Sequence, residues 1–393
     1  MQRGFVQKRG STWTAYFHVV GAAGERKQIS KGGFRTKAEA QQHLTTSLHS
    51  VQTEEYVEQS RLSFADYLVD RWLPLVESSL RPTTFDSYKR MLNLYVIPSL
   101  GSVQLQKVRA EHLDQLYARL LKDGRQDGRG GLSPKTVRYL HNTLHKALRD
   151  AERKGLVPRN IAAMADPPRR SQSGSSEMKW WTAEELRVFL AAIDGHRLEA
   201  AYVLAATTGM RRGEVLGVRW SDLDSGRSRL AVRQTVVCVG YQITFGTPKT
   251  ARGRRLIALD PITMAALAKH RQQQVDERAV LVDGFTDNDL MFAKVDGSPI
   301  NPDYFSQAFD RTVAKLPIRR IRLHDLRHTH ATIGLAAGIP PKVMSDRLGH
   351  ATVAFTQDIY MHAIPRLEDE AAEQMADLIF GVTESQPSTS NSS

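Results

Sequence analysis

Apolar positions recur at three-to-four spacing through four consecutive stretches: "SFADYLVDRWLPLVE", "RPTTFDSYKRMLNLYVIPSLG", "RAEHLDQLYARLLKDG" and "SPKTVRYLHNTLHKALRDAERKG". That period predicts four helices between residue 62 and about residue 165. The last carries its own punctuation, with Ser133 as N-cap, Pro134 at the first helical position and Gly155 as stop. Before them the pattern differs. "STWTAYFHVV" and "ERKQISKGGF" read as short strands about the turn "VGAAGE". "TKAEAQQHLTTSLHSV" then reads as a helix opened by a capping box of Thr36 and Glu39. Residues 166–180, "DPPRRSQSGSSEMKW", are rich in Pro, Ser and Gly and predict a linker. A second capping box, Thr182 with Glu185, starts "WTAEELRVFLAAIDG", which Gly195 can close. The chain then runs helix, helix, a β region around 228–259, and helices to about 380, with a polar tail and no internal repeat. The expected division is 1–60, 61–165, a linker at 166–180, 181–381, and a disordered tail at 382–393.

Charge changes the picture. Net charge is +12 and the isoelectric point about 9.8, which points to a polyanionic partner, nucleic acid first. Residues 1–50 hold eight Lys/Arg against two Asp/Glu, so 8 − 2 = +6, half the excess in an eighth of the chain. A small sheet on one helix, with basic residues on the sheet, can lie in a DNA groove. Lys8, Arg9, Arg26, Lys27, Lys31 and Arg35 are the candidate contacts. The single cysteine, Cys238, excludes an intrachain disulfide and a multi-cysteine zinc site. No apolar run reaches membrane-spanning length and the N-terminus has no signal-peptide core, so a cytoplasmic location on DNA, with no membrane partner, is expected.

The densest chemistry is "LHDLRHTHAT", 323–332, which packs Arg327 with His324, His328 and His330. His324 and His328 have the spacing of two zinc ligands on one helix face, yet a metalloprotease needs Glu where Asp325 stands, and no third ligand is evident. An anion fits better because similar features recur. "TTGMRRGEVLGVRWSDLD" places Arg211 and Arg212 just after a helix-breaking glycine, with Glu214 one turn on to hold a guanidinium. "TPKTARGRRLIAL" puts Lys249 in a turn before a strand, and "RLGHATVAFTQDIYMHA" carries His350 and Tyr360. Two arginines can neutralise a phosphodiester, a lysine can protonate a leaving alkoxide, histidines can shuttle protons, and a tyrosine can be the nucleophile. Nothing in the set requires a metal or other cofactor.

These motifs resemble the tyrosine recombinase (phage integrase) family. Its pattern is Thr-Gly-x-Arg-x-x-Glu, a β-hairpin Lys, His-x-Leu-Arg, Gly-His, and a Tyr about ten residues later. In this chain the matching positions are Arg211, Lys249, His324, Arg327, His350 and Tyr360, in order, with Glu214 at the supporting acidic position. Arg211 rather than Arg212 is the catalytic candidate because it follows "TGM"; His328, His330 and His362 are extra histidines, read as local hydrogen-bonding groups. The first 60 residues resemble the arm-type DNA-binding domain of integrases from actinobacterial phages and integrative elements, and residues 61–165 the core-binding domain.

The resemblance implies a multidomain protein: a small β-sheet-plus-helix N-terminal domain, an all-α core-binding domain, and a mainly α catalytic domain with a small β-sheet. It implies a 3′-phosphotyrosine intermediate on Tyr360, phosphate binding by Arg211 and Arg327, Lys249 as general acid, and His324 and His350 assisting. It further implies core-type and arm-type double-stranded sites, a homotetramer on DNA, a host bending factor and an excision factor. The amphipathic stretch "PRLEDEAAEQMADLIFG", 365–381, would dock on a neighbouring protomer or on its own domain. The rival readings are a non-catalytic DNA-binding regulator, a type IB topoisomerase, a chromosome-dimer resolvase and a metallohydrolase.

Overall fold

The structure is a computed structural model, and it describes residues 4–20, 25–52, 56–169, 179–240, 242–248, 251–281, 284–349, 375–376 and 379–380. The chain divides into two compact units, Met1–Gly174 and Ser175–Ser393. Among the described residues no helix is long and apolar enough to cross a membrane.

The first unit opens with an antiparallel sheet of β1 (Phe5–Arg9), β2 (Thr12–Val20) and β3 (Arg26–Phe34), followed by the Lys37–Gln52 helix. Strand β1 escapes a reading by periodicity, since "FVQKR" has two apolar residues and no strong alternation. It forms because β2 offers it a partner from Phe5↔Tyr16 to Arg9↔Thr12. The predicted cap holds: Glu39 N donates to Thr36 Oγ1 at 3.2 Å and Thr36 N to Glu39 Oε2 at 3.4 Å. Alternation along the strands sends Val6, Ala15, Phe17, Val19 and Ile29 onto Leu44 and Leu48 of the helix. The register slips between Trp13 and Ala15, opposite Gly32 and Gly33, and Gly33 has φ +91°, which a side chain rarely tolerates.

The helical part of this unit packs around Phe64, Tyr67, Trp72, Leu92, Leu113, Val137, Leu140 and Leu144, all buried. Its main helices include Pro82–Met91, Ala110–Asp123 and Pro134–Arg153. Ser133 caps the last through its hydroxyl, which accepts from Thr136 N at 3.2 Å. Two helical runs widen into looser turns at Tyr67–Trp72 and Leu92–Val96, each just before a proline, Pro74 and Pro98. A proline cannot donate to the ladder, and a widened turn absorbs the lost bond.

The second unit starts at a buried Trp181, whose Nε1 donates to Arg319 O at 2.7 Å. Its core joins Trp181, Phe189, Tyr202, Phe305 and Phe309, with Tyr202 and Phe305 stacked 4.7 Å apart. One sheet has the order β4 (Leu223–Asp224), β5 (Arg229–Val232), β8 (Arg255–Ala258); β6 (Thr235–Val239) and β7 (Gln242–Gly246) form a separate hairpin. The Glu199–Thr208 helix, "EAAYVLAATT", is apolar all round and is buried accordingly. It ends at Gly209, φ +64°, where an added Cβ would lie 2.5 Å from Leu348 and 2.8 Å from His330. The Asp325–Ala336 and Pro341–Leu348 helices close against this end. Sheet-plus-helix module, helical bundle and α+β second unit together give the multidomain fold class expected from sequence.

Candidate active site

The tight turn after Gly209 brings the first arginine into position. Arg211 precedes the short Arg212–Val215 helix in extended conformation, and Glu214 lies one turn inward. Arg211 Nη1 donates to Glu214 Oε1 at 2.8 Å, and Arg211 N to Glu214 Oε2 at 3.0 Å. Glu214 is 2 % exposed, while the Arg211 side chain keeps 34 % of its surface. One carboxylate therefore aims a partly open guanidinium. Arg212 turns away: its Nη1 donates to Pro302 O, Asp303 Oδ1 and Ser306 Oγ at 2.8–3.1 Å. Adjacent in sequence, the two arginines serve different tasks, and the geometry favours Arg211 as the anion-facing one.

Arg327 is buried at 4 % exposure on the Asp325–Ala336 helix. Its Nη1 donates to Gly209 O at 2.8 Å and its Nη2 to Leu348 O at 2.7 Å. Both carbonyls lie at helix C-termini, whose partial negative charge favours a cation. Two helix ends thus fix this guanidinium, one of them at Gly209, two residues before Arg211 in the chain.

His324 stands exposed at the start of the same helix. Crowding of its ring by protein atoms lowers its pKa first, then the Arg327 charge, with Arg211 and Arg322 adding to it and Asp325 opposing. Solvent still reaches the ring, so the neutral imidazole offers one donor and one acceptor near neutral pH. His328 meets His324 edge-on at 5.5 Å and is lowered to about 4 by burial and then by His324. His330 Nδ1 lies 3.0 Å from Ala206 O, and its Nε2 accepts from Arg347 Nε at 3.3 Å. That pattern fixes the Nδ1–H tautomer, and burial followed by Arg347 lowers its pKa to about 4. The zinc-ligand idea for His324 and His328 finds no support in Asp325, whose carboxylate takes Arg322 through contacts of 2.9–3.1 Å. Among the described residues no group of three or more His, Cys, Asp or Glu is placed to hold a metal ion.

Lys249, His350 and Tyr360 lie outside the described residues, as do His362 and most of 365–381. The chain enters that region from Gly349, φ +68°, which ends the Pro341–Leu348 helix. Sequence reading missed Arg255 and Arg347, both close to the site. Arg255 is 7 % exposed in its side chain and donates to Glu214 Oε2 at 3.0 Å and Arg347 O at 2.7 Å. Arg347 also donates to Thr207 O and Ala258 O at 2.9 and 3.1 Å. The only hint was the density of arginine in "ARGRRLIAL" and "RLGH".

The candidate DNA residues of the N-terminal module separate by strand register. Arg9 and Arg26 share the sheet face opposite the helix with Gln7, Tyr16, His18 and Gln28. Arg9 lies 5.6 Å over the Tyr16 ring, and Phe5 stacks on that ring at 4.7 Å. Lys8, Lys27 and Lys31 pair with Trp13, Val19 and Ala15, so they stand at the margins of the helix-covered face. Lys27 Nζ is bound to Glu58 at 2.6 Å. Arg35 is exposed just before the helix, its backbone N–H on Glu39 Oε2 at 3.0 Å.

The comparisons with known proteins decide the family. Residues 179–366 match the phage integrase family, 5–51 an arm DNA-binding domain, and 64–121 a phage integrase N-terminal SAM-like domain. The chain belongs to the phage integrase family. A "Tyrosine recombinase XerC-like" protein of Caldanaerobacter subterraneus subsp. tengcongensis is 26% identical over 390 residues, covering 94% of this chain and 97% of its own. Among solved structures, the Tn1549 transposon integrase in complex with a circular intermediate DNA matches with TM-score 0.62 and 20% identity, over 80% of this chain and 100% of that one. A lambda integrase tetramer bound to a Holliday junction matches with TM-score 0.53 and 16% identity, over 88% and 92%. As a phage integrase family member, the protein is a tyrosine-type site-specific recombinase, an enzyme of DNA strand exchange.

Proposed function

We propose that this integrase cuts and rejoins DNA through a covalent bond to Tyr360, integrating and excising a mobile element. The phenolic oxygen of Tyr360 attacks the scissile phosphorus; the bond to the 5′-oxygen breaks, leaving a 3′-phosphotyrosine and a 5′-hydroxyl. Arg211 and Arg327 hold the non-bridging oxygens and stabilise the charge that grows on them. Lys249 protonates the departing 5′-oxygen, and His324 and His350 hydrogen-bond the phosphate and assist proton movement. A phosphodiester beside His324 would raise its lowered pKa again, so the ring titrates differently with and without DNA. The 5′-hydroxyl of a partner strand then displaces the tyrosine, and the phosphoester energy is kept without a nucleotide. The observation that carries this reading is the pairing of Arg211, aimed by buried Glu214, with Arg327, pinned between two helix ends, around His324.

The partners follow from the same reading. Residues 61–165 and 181–381 grip a core-type double-stranded site, joined by the 166–180 linker. Residues 1–60 hold a distant arm-type site, and binding falls steeply with salt. Four copies act on two sites in the cytoplasm, with a host bending factor and an excision factor as accessories. In the segment 365–381 the described residues Met375, Ile379 and Phe380 are exposed and apolar, and a neighbouring protomer or its own domain would cover them.

The test is a covalent adduct. Protein is mixed with a supercoiled plasmid carrying the DNA that flanks its own gene, stopped with detergent, and assayed for attached protein beside Tyr360→Phe. Adduct from wild type and none from the variant is expected. Good binding at low salt without adduct would favour a non-catalytic regulator. Adduct in both would mean another nucleophile.

A further inference from the structure

Glu214 carries two guanidiniums, not one. Arg211 takes Oε1 at 2.8 Å, and Arg255, from the first position of β8, takes Oε2 at 3.0 Å. The two arginines differ in what remains to them. Arg211 keeps a third of its surface and, among the described residues, its Nε and Nη2 have no hydrogen bond. Arg255 is closed off: Nη2 is on Glu214, Nε on Arg347 O at 2.7 Å, and Nη1 on Gly253 O at 3.2 Å. Each of its three guanidinium nitrogens already has a protein acceptor, so it is read as a structural group rather than an anion ligand. Its contacts instead join three segments that each carry a candidate catalytic group. Glu214 belongs to the turn of Arg211. Arg255 itself lies six residues after Lys249. Arg347 lies three residues before His350, and a Cβ on the intervening Gly349 would approach Arg255 Nη1 to 3.1 Å.

We infer that Arg255 is a positioning residue for the cleavage step, acting through Glu214 to fix the guanidinium of Arg211 against the scissile phosphate. The physical reason is the bidentate carboxylate. With Arg255 on Oε2, Oε1 is held toward Arg211 in one rotamer. Without it, Oε2 keeps only the Arg211 backbone N–H, its remaining lone pair is open to the Arg211 guanidinium, and that side chain can fold back onto the carboxylate instead of reaching outward. The carboxylate is shared by two cations, so the cluster keeps a net positive charge that a phosphodiester completes. This inference rests on the recombinase reading.

The experiment uses the full chain and a duplex containing the sequence that wild type cuts, made once with an ordinary scissile phosphate and once with a neutral methylphosphonate there. A neutral centre has less need of Arg211. Arg255→Met is expected to slow adduct formation on the ordinary phosphate by about 100-fold, the scale of a small misplacement. On methylphosphonate the loss should be much smaller, so the ratio of the two rates rises. DNA affinity should stay within about threefold, since Arg255 is closed to the ligand. Arg255→Lys keeps a charge beside Glu214 but not the planar fork, and is expected to raise the same ratio to a lesser degree. It decides the matter alone if the Met variant does not fold. Equal losses on both substrates, or no loss, would overturn the inference. A wild type that forms no adduct on any flanking DNA would overturn the recombinase reading itself, a separate outcome.

Discussion

The N-terminal sheet and the catalytic unit both gather arginine and lysine, and they treat the charges in opposite ways. On the sheet, Lys8, Arg9, Arg26, Lys31 and Arg35 stand exposed, and Lys27 has one exposed carboxylate partner. In the catalytic unit Arg327 and the side chain of Arg255 are buried and Arg211 is half-buried, each with its guanidinium bonded to a carboxylate or carbonyl. Exposed cations attract a polyanion from solution but are free in direction and screened by salt. Buried cations cost desolvation, repaid only by fixed geometry, and that geometry is what a transition state requires. The difference teaches that one residue type supplies affinity in one place and orientation in another, and that burial separates the two.

Changes at Arg327, at Glu214, in pH and on the sheet would break or sharpen this contrast. Arg327→Ala should have the largest effect, removing the donor to Gly209 O and Leu348 O and slowing adduct formation by about 10³-fold or more. DNA affinity at low salt should change far less; a proportional loss of affinity would place Arg327 with the exposed class. Glu214→Ala leaves Arg211 and Arg255 uncompensated, and about 3–5 kcal/mol of stability should be lost by denaturant unfolding. A near-neutral result would mean the carboxylate is not shared as described.

Acid should act most strongly on the buried histidines of the catalytic unit. His328 and His330 have folded pKa values of about 4 against an ordinary 6.5. Between those values the unfolded chain binds protons that the folded one excludes, so stability rises with pH through that window. It is lost as pH falls from about 6.5 toward 4, by about 3 kcal/mol for His330. Thermal melts of wild type and His330→Asn across that range should converge at the acid end; parallel curves would refute the assignment. The smallest effects belong to the sheet. Arg9→Ala and Arg26→Ala should each lower the salt dependence of binding by about one ion-equivalent without touching cleavage of a core-only duplex. Lys27→Ala, on the other face and paired with Glu58, should change stability by no more than about 1 kcal/mol. A larger binding defect for Lys27 than for Arg9 would reverse the assignment of faces.

Much of this was legible in the chain. The helices at 134–153 and 183–192 declare themselves because cap, period and stop are all local, and the candidate site because six polar residues fall at fixed spacings in order. Strand β1 was not, since "FVQKR" has no pattern of its own and owes its conformation to β2. The difference between Arg211 and Arg212 was legible only as a motif position; what separates them physically is that Arg212 is taken by Pro302, Asp303 and Ser306, some ninety residues away. Arg255 and Arg347 were invisible as site residues because their acceptors lie 41 and 89 residues off, and no local spacing encodes such pairs.

The sequence by itself determined most of the elements, their order, the excess of positive charge and which residues could carry phosphate chemistry, because propensity, periodicity and charge act between neighbours in the chain. Only the tertiary structure decided which arginines face outward and which are sealed, which carboxylate is shared, which tautomer His330 holds, and which basic residues of the sheet share a face. Those properties depend on desolvation and on partners brought together by packing, and neither exists until the chain has folded.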